Sequence, residues 1–117
     1  MQEEIFGPIL PIFYYTELEQ VIQEIVSRPK PLVVYHFTES SKHASLVQSK
    51  TYSGAYVSND TLFQMTNLNL PFGGVGASGY GRFHGKSGFD GFSNPKSIAR
   101  MSTMDNFPTN QRYPPFT

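Results

Sequence analysis

Strand-like and helix-like segments alternate through the first half of this 117-residue chain, and that order constrains the fold more than any other feature. Three short runs are rich in β-branched, aromatic and other apolar residues, as strands are: residues 9–15, 32–37 and 52–58. A helical pattern separates each run from the next. This alternation predicts an α/β fold, specifically a partial parallel βαβαβ sheet layer with right-handed crossovers.

The first helical pattern carries signals for both of its ends. Thr16 followed by Glu19 has the form of a capping box, in which two side chains bond free N–H groups at the start of a helix. Pro29 and Pro31 end the pattern, because proline cannot donate a hydrogen bond to the helical ladder. The apolar residues between these signals recur at the spacing of one helix face: Leu18, Val21, Ile22, Ile25 and Val26.

The second predicted strand and the second predicted helix also carry clear sequence signals. Residues 32–37 are almost continuously apolar, which fits a strand buried on both faces, as in a parallel sheet. Ser40 and Ser41 follow it and supply hydroxyl groups that can cap a helix reaching about Gln48.

The second half of the chain has a different character. Residues 70–95 contain eight of the ten glycines and show little periodicity, so we predict a long, extended, Gly-rich loop. Residues 97–101 predict a short C-terminal strand, and the polar, proline-rich residues beyond them predict an extended tail. We therefore place a boundary near residue 95, with residues 1–95 forming one portion of the chain and residues 96–117 forming a strand and tail.

One stretch of the Gly-rich segment, Gly74–Gly79, matches the G-x-G-x-x-G pattern of dinucleotide-binding turns. That pattern normally follows a buried strand and opens a helix, but Pro71 precedes it here and no helical periodicity follows it. We interpret the glycines instead as backbone that bends tightly or packs closely against a neighbour.

Composition favours a chain whose surfaces contact a protein partner, with a loop-rich globular domain as the alternative. Only 15% of the residues are charged and another 15% are aromatic, whereas about a quarter of the residues of an average soluble domain are charged. A sheet of three strands would also keep an unpaired edge. The formal net charge of zero, with no basic stripe, argues against nucleic-acid binding, and the absence of cysteine excludes disulfides, thiolate metal sites and a cysteine nucleophile in this chain.

Several motifs resemble those of aldehyde dehydrogenases. Gln2–Pro8 resembles the E-E-I-F-G-P motif of that family, and Leu70–Gly76 resembles the class 3 (fatty-aldehyde type) version of its C-terminal motif. Further matches to class 3 follow in the same order: Ser78–Gly79, His84–Lys86, Phe89, Phe92–Ser93 and Arg112–Pro115. The resemblance runs from Glu3 to Pro115 and identifies the chain as a C-terminal part of such an enzyme. It implies that residues 1–95 are the C-terminal portion of the catalytic domain and that residues 96–117 are an oligomerisation-type strand and extended tail.

The resemblance implies a reaction that this chain cannot perform alone. In the family, a cysteine thiolate attacks the aldehyde, the thiohemiacetal passes hydride to NAD(P)+, and water releases the carboxylic acid with a glutamate as general base. The nucleophile, the general base and the cofactor domain lie upstream of the E-E-I-F-G-P motif, so we expect no catalytic residue here. NAD or NADP is implied only for a complete enzyme, and no bound cofactor or metal is expected for the isolated chain.

Four residues are candidates for a site by resemblance. Glu4 takes the position that bonds the nicotinamide-ribose hydroxyls, a task suited to a carboxylate because it accepts two charge-assisted hydrogen bonds, and Phe6 would pack near the nicotinamide. The alternative for Glu4 is a solvated surface carboxylate. Phe72 would border the active-site entrance or simply pack in the core, and His84 would supply polarity to the substrate pocket or make a structural hydrogen bond.

Two positions depart from the family pattern and one pair matches it. Gln64 stands where the family often has histidine, and Arg82 stands where a small or uncharged residue is usual. Asn59 and Asp60 match the family pair after the third predicted strand and are expected to shape that turn.

Three functions remain open from the sequence. The chain is either a fragment of an NAD(P)-dependent aldehyde dehydrogenase, a non-catalytic structural subunit derived from one, or a ligand-binding module whose glycine loop holds an anion. The first two call for a protein partner, whether the rest of the enzyme, a homodimer mate or a larger complex. No signal peptide, membrane anchor or transmembrane stretch is visible, so we expect an intracellular protein without a membrane anchor.

Overall fold

The computed structural model describes residues 3–101, which form short helices and strands joined by long connections. The elements are α1 (Leu18–Ser27), β1 (Val33–His36), α2 (Ser41–Lys50), β2 (Ala55–Ser58), α3 (Phe63–Thr66), a 3-10 turn (Gly76–Ser78) and α4 (Gly85–Gly91). The order β1, α2, β2 is a βαβ unit, as the sequence predicts for this stretch.

The two strands pair in parallel. Val33 lies opposite Ala55 at one end and His36 lies opposite Ser58 at the other, with α2 as the crossover. The α/β class and the parallel pairing are therefore confirmed, but within residues 3–101 the sheet has two strands and not three.

The missing strand is the one predicted at residues 9–15. This segment has no sheet partner in the described part of the chain, and its apolar side chains lie exposed, with Tyr14 97% accessible. A strand is defined by hydrogen bonds to a neighbour, so an apolar run with no neighbour remains irregular. The short strand predicted at 97–101 has no sheet partner among the described residues either, and it stays a prediction. The tail from residue 102 lies outside the described residues, and the division at residue 95 stays a prediction.

Helix α1 forms where its apolar spacing predicts, but the capping box is wrong. The helix begins at Leu18 with Glu17 as its N-cap, and Glu17 makes no side-chain cap bond. Thr16 lies one residue too early to serve as the cap. At the other end the helix stops before Pro29, because the residue preceding proline disfavours helical geometry and Arg28 is extended.

The serine cap of α2 is confirmed. The Ser40 hydroxyl accepts a hydrogen bond from the N–H of His43 at 3.3 Å, which satisfies one of the free donors of the first turn. Thr51 closes the other end by donating its N–H to the Val47 carbonyl at 3.0 Å.

The Gly-rich segment contains more regular structure than its lack of periodicity predicts. Phe72 and Phe83 form an isolated antiparallel bridge, closed by two backbone hydrogen bonds of 3.0 and 2.9 Å, and α4 follows two residues later. Helix α4 was missed because its sequence is rich in glycine, a poor helix former. Among residues 3–101 the glycine pattern does not open an α-helix directly, since α4 begins only at Gly85, so the match to the dinucleotide fingerprint is not supported by its structural context.

Close packing explains the glycine at position 54. A β-carbon on Gly54 would lie 2.6 Å from the Leu32 carbonyl oxygen and closer still to that of Gly73. Gly54 thus lets the Gly-rich segment approach the end of the sheet, which agrees with the prediction that glycines serve close backbone contact in this protein.

The core within residues 3–101 is small. Its buried apolar side chains are Ile22, Val47 and Val57, which are 8%, 4% and 9% exposed. They belong to α1, α2 and β2 respectively. None of the helices in the described part of the chain is long and apolar enough to cross a bilayer.

Candidate functional site

An open cleft of about 870 Å³ lies between the N-terminal segment, the turn after α1 and the 3-10 turn. Glu4 and Phe6 contribute from the first of these, Arg28 and Lys30 from the second, and Ser78 from the third. The fold thus brings the two residues assigned by resemblance to cofactor contact into one concave surface. Concave surfaces with a few polar groups are the usual form of small-molecule sites.

Phe6 projects from the wall of this cleft. Its side chain is 92% exposed, and its φ of 46° lies in the left-handed region, where a bulky residue is uncommon. Backbone held in that region costs on the order of 1–3 kcal/mol and is concentrated at ligand sites. The ring is therefore presented outward and has space to pack against a flat ligand.

The Glu4 carboxylate makes no hydrogen bond or ion pair within residues 3–101. It is exposed, so both oxygens remain available as acceptors. A ribose with vicinal hydroxyl groups offers two donors of the matching kind. A carboxylate with free acceptors and an outward aromatic ring are chemically suited to a ribose and a nicotinamide ring, and the assignment of Glu4 and Phe6 to an NAD(P) cofactor stays a prediction.

The cations of the cleft are partly engaged elsewhere. The Arg28 guanidinium donates to the Glu24 carboxylate through Nε at 2.8 Å, and a second bond from Nη2 completes the ion pair. Lys30 Nζ lies 4.9 Å from the centre of the Tyr52 ring, within range of a cation–π contact. Sequence reasoning missed both cations, although they flank Pro29 on each side, where a sharp turn could have been expected to expose them.

Phe72 and His84 form a second group that does not line the cleft. The Phe72 ring meets the Phe83 ring edge-on at 5.2 Å and lies 5.9 Å from the His84 imidazole, and Phe83 meets His84 at 4.4 Å. The structure therefore unites the two residues predicted for the substrate pocket, and it places them apart from Glu4 and Phe6.

His84 combines a structural hydrogen bond with an unusual backbone. Its Nδ1 donates to the Leu70 carbonyl at 3.2 Å, which assigns the proton to that nitrogen because a carbonyl only accepts. Its φ of 77° is rare for a residue other than glycine. This bond matches the structural alternative given for His84, while Nε2 makes no hydrogen bond within residues 3–101.

The residues that follow the two strands are tied together as expected. Asn59 bonds the backbone of Thr38 twice, and the Asp60 carboxylate accepts from the Thr61 N–H at 2.7 Å. The prediction that Asn59 and Asp60 shape this turn is confirmed by these contacts.

Gln64 is the one buried polar residue among those described, at 5% exposure. Its Nε2 donates to the Tyr35 hydroxyl at 2.8 Å, while its Oε1 is buried without a hydrogen-bond partner. The residues between 3 and 101 contain no group of three or more His, Asp or Glu side chains placed to hold a metal ion.

Comparison with known proteins identifies the family. The model of the aldehyde dehydrogenase family matches residues 1–98. The chain belongs to the aldehyde dehydrogenase family. It is 48% identical to aldehyde dehydrogenase family 3 member B1 of Rattus norvegicus over 118 aligned positions, which cover 100% of this chain and 25% of that protein.

Bacterial relatives of this aldehyde dehydrogenase chain are similar to the same degree. The 4,4'-diaponeurosporen-aldehyde dehydrogenase of Staphylococcus aureus is 52% identical over 103 positions, covering 88% of this chain and 22% of that protein. A solved structure, the substrate-bound state of Staphylococcus aureus AldH, superposes with a TM-score of 0.79 at 48% identity, over 91% of this chain and 23% of that one. The chain thus spans about a quarter of the length of its relatives.

Proposed function

We propose that this chain is the C-terminal portion of an NAD(P)-dependent aldehyde dehydrogenase of the class 3, fatty-aldehyde type, and that it is inactive by itself. Glu4 would accept hydrogen bonds from the nicotinamide-ribose hydroxyls, and Phe6 would hold the nicotinamide in position. The cofactor, when bound, supplies the hydride acceptor. The observation that carries the proposal is the cleft in which the Glu4 carboxylate, which has no partner within residues 3–101, lies together with an outward Phe6 ring.

The residues present decide which steps of the reaction this chain could serve. The chain has no cysteine, so the thiolate that attacks the aldehyde must belong to another stretch of protein. Phe72 and His84 would border the path of the aldehyde, with Phe72 as an apolar wall. Because His84 Nδ1 is committed to Leu70, only Nε2 is free to bond a polar group of the substrate.

A chimera tests this proposal directly. In the Staphylococcus aureus relative, the stretch that matches this chain is replaced by residues 1–117, and reduction of NAD+ or NADP+ is followed with aldehydes of increasing chain length. We expect activity from the chimera and none from this chain alone or from the relative truncated at the junction. An inactive chimera that is nonetheless folded and binds NAD(P)+ normally would contradict the proposal.

A structural role is the second candidate, and the small core favours it. No side chain within residues 3–101 is less than 2% exposed, while large apolar side chains along residues 9–15 are open. Such a surface fits a chain held against a larger partner. Mixing this chain with the truncated relative separates the two functions: a stable complex with restored activity supports the enzyme, and a stable complex without activity supports the structural subunit.

A further inference from the structure

The Arg82 side chain bonds two backbone carbonyl groups of the Gly-rich segment, an arrangement that we call the Arg82 clamp. Its Nη1 donates to the Gly81 carbonyl at 2.8 Å and also to the Gly74 carbonyl, on opposite sides of the turn. Neither carbonyl accepts a backbone hydrogen bond among residues 3–101. A single guanidinium nitrogen thus joins two stretches of backbone that have no ladder of their own.

The need for this contact follows from the shape of the segment. The bridge between Phe72 and Phe83 is one residue pair wide, and ten residues lie between its two ends. Inside that loop, Ser78 Oγ accepts from the Val75 N–H at 2.9 Å and donates to the Val75 carbonyl at 3.0 Å, which closes the tip. Arg82 supplies the link between this closed tip and the bridge.

Gly73 makes room for the arginine. A β-carbon on Gly73 would lie closest to the Gly81 carbonyl oxygen, and next 3.1 Å from Arg82 Cδ and 3.2 Å from Nη1. A side chain at position 73 would therefore displace the Gly81 carbonyl, which is one of the two acceptors of Arg82, and would crowd the guanidinium as well.

The clamp acts on the residues proposed for the substrate pocket. Phe72 precedes Gly73, and Phe83 and His84 follow Arg82. The contacts of Arg82 therefore lie next to both backbone segments that carry the three contacting rings of Phe72, Phe83 and His84. We propose that Arg82 is a positioning residue, which fixes the Gly-rich turn and thereby the relative placement of Phe72 and His84. Its link to substrate rests on the proposed function, whereas the clamp itself does not.

The chemistry is specific to arginine. A guanidinium is a planar fork with five N–H donors and stays charged, so it can serve two carbonyl oxygens in fixed directions. A lysine is a single flexible ammonium and would not hold both carbonyls in the same geometry.

The experiment measures amide hydrogen exchange at Phe72 and Phe83 in the chimera, and this measurement does not require the chimera to be active. Arg82→Ala should speed exchange of both amides about three- to tenfold, and Arg82→Lys should recover only part of the protection. Guanidinium chloride at a sub-denaturing concentration should restore the alanine variant, while sodium chloride at equal ionic strength should not. Arg100→Ala, which removes an exposed arginine outside the helices and strands, is the matched control and should leave both amides unchanged.

Kinetics provide a second measurement. In an active chimera, Arg82→Ala should raise KM for bulky aldehydes about three- to tenfold with little change in kcat, because a displaced pocket wall weakens substrate placement rather than the chemical step. Unchanged exchange at Phe72 and Phe83 in Arg82→Ala, or faster exchange that sodium chloride reverses as well as guanidinium does, would overturn the clamp. Faster exchange with an unchanged KM would overturn its link to the pocket.

Discussion

Asn59 holds Thr38 by both of its main-chain groups: Nδ2 donates to the Thr38 carbonyl at 2.9 Å and Oδ1 accepts from the Thr38 N–H at 2.7 Å. Thr38 follows β1 and Asn59 follows β2, so one side chain joins the carboxyl ends of both strands. Asn59 also has a φ of 59°, a conformation that asparagine tolerates better than most residues.

We expect Asn59→Ala to loosen this end of the sheet. It removes two hydrogen bonds at an exposed site, worth about 1 kcal/mol in total, and places alanine in the left-handed region. Asn59→Gly removes the same bonds without the strain and should have a smaller effect. Amide exchange of residues 33–38 and 55–59 in the chimera measures both, and equal protection in the two variants would contradict a role for the backbone conformation.

Glu4→Gln should weaken cofactor use in the chimera. The neutral amide accepts a weaker hydrogen bond from the ribose hydroxyls than a carboxylate does, so we expect KM for NAD(P)+ to rise about tenfold. Glu3→Gln is the matched control, since it makes the same change one residue away. An equal effect from both substitutions would indicate that general acidity, and not the contact of Glu4, matters for the cofactor.

Gln64→Glu should make stability depend on pH. A carboxylate in this buried place would put an oxygen where Gln64 Oε1 finds no hydrogen-bond partner within residues 3–101, so burial would raise its pKa above the value in the unfolded chain. A group whose pKa is raised on folding contributes stability at low pH that is lost as pH increases. The thermal midpoint of Gln64→Glu should therefore fall between pH 5 and about pH 8 relative to that of Gln64→Leu.

Gln64→Leu serves as more than a control. It removes the bond to Tyr35 and at the same time removes an unsatisfied buried oxygen, so the two effects oppose each other. We expect a change in the free energy of unfolding within about 1 kcal/mol of zero. A loss of several kcal/mol would mean that Oε1 is hydrogen-bonded in the assembled protein.

Two glycines should differ sharply in their tolerance of alanine. Gly54→Ala would drive a methyl group into the carbonyl oxygens of Leu32 and Gly73, both of which are backbone atoms that cannot rotate away. At Gly81 nothing lies within 4 Å of the added carbon, and only the φ of 76° is unfavourable. Gly54→Ala should abolish soluble, folded chimera, whereas Gly81→Ala should cost about 1–2 kcal/mol of stability.

Alanine substitutions at the two candidate helix caps should also differ in their effect on stability. Ser40→Ala removes the bond to the His43 N–H and should destabilise α2 by about 1 kcal/mol. Thr16→Ala should have no measurable effect, because Thr16 is not the N-cap of α1. Thermal unfolding of the two variants compares them, and a loss in Thr16→Ala would show that the capping box forms in the assembled protein.

Local rules predicted the parts of this fold that are stabilised locally. The apolar spacing of α1, the serine cap of α2 and the run of β1 all depend on neighbours in sequence, and the structure contains them. The failures depend on partners. Residues 9–15 have the composition of a strand, yet a strand needs a neighbouring chain to bond, and the residues described here supply none.

The candidate site was predictable to a similar extent. Glu4 and Phe6 come from one continuous motif, so resemblance found them, and the fold places both in the cleft. Arg28 and Lys30 line the cleft because the N-terminal segment and the 3-10 turn lie next to them, and Arg82 reaches back eight residues to the Gly74 carbonyl; no periodicity encodes either arrangement. Helix α4 was missed because glycine is a poor helix former. Two of its glycines, Gly88 and Gly91, lie against the backbone of residues 83 and 82.

The exposed apolar run at residues 9–15 also affects how much of this protein a cell can maintain. An unpaired stretch of isoleucine, phenylalanine and tyrosine is the kind of segment that aggregates, and that chaperones and proteases engage, until something covers it. The number of copies that persist would then follow the supply of whatever covers the run rather than the rate of synthesis of the chain.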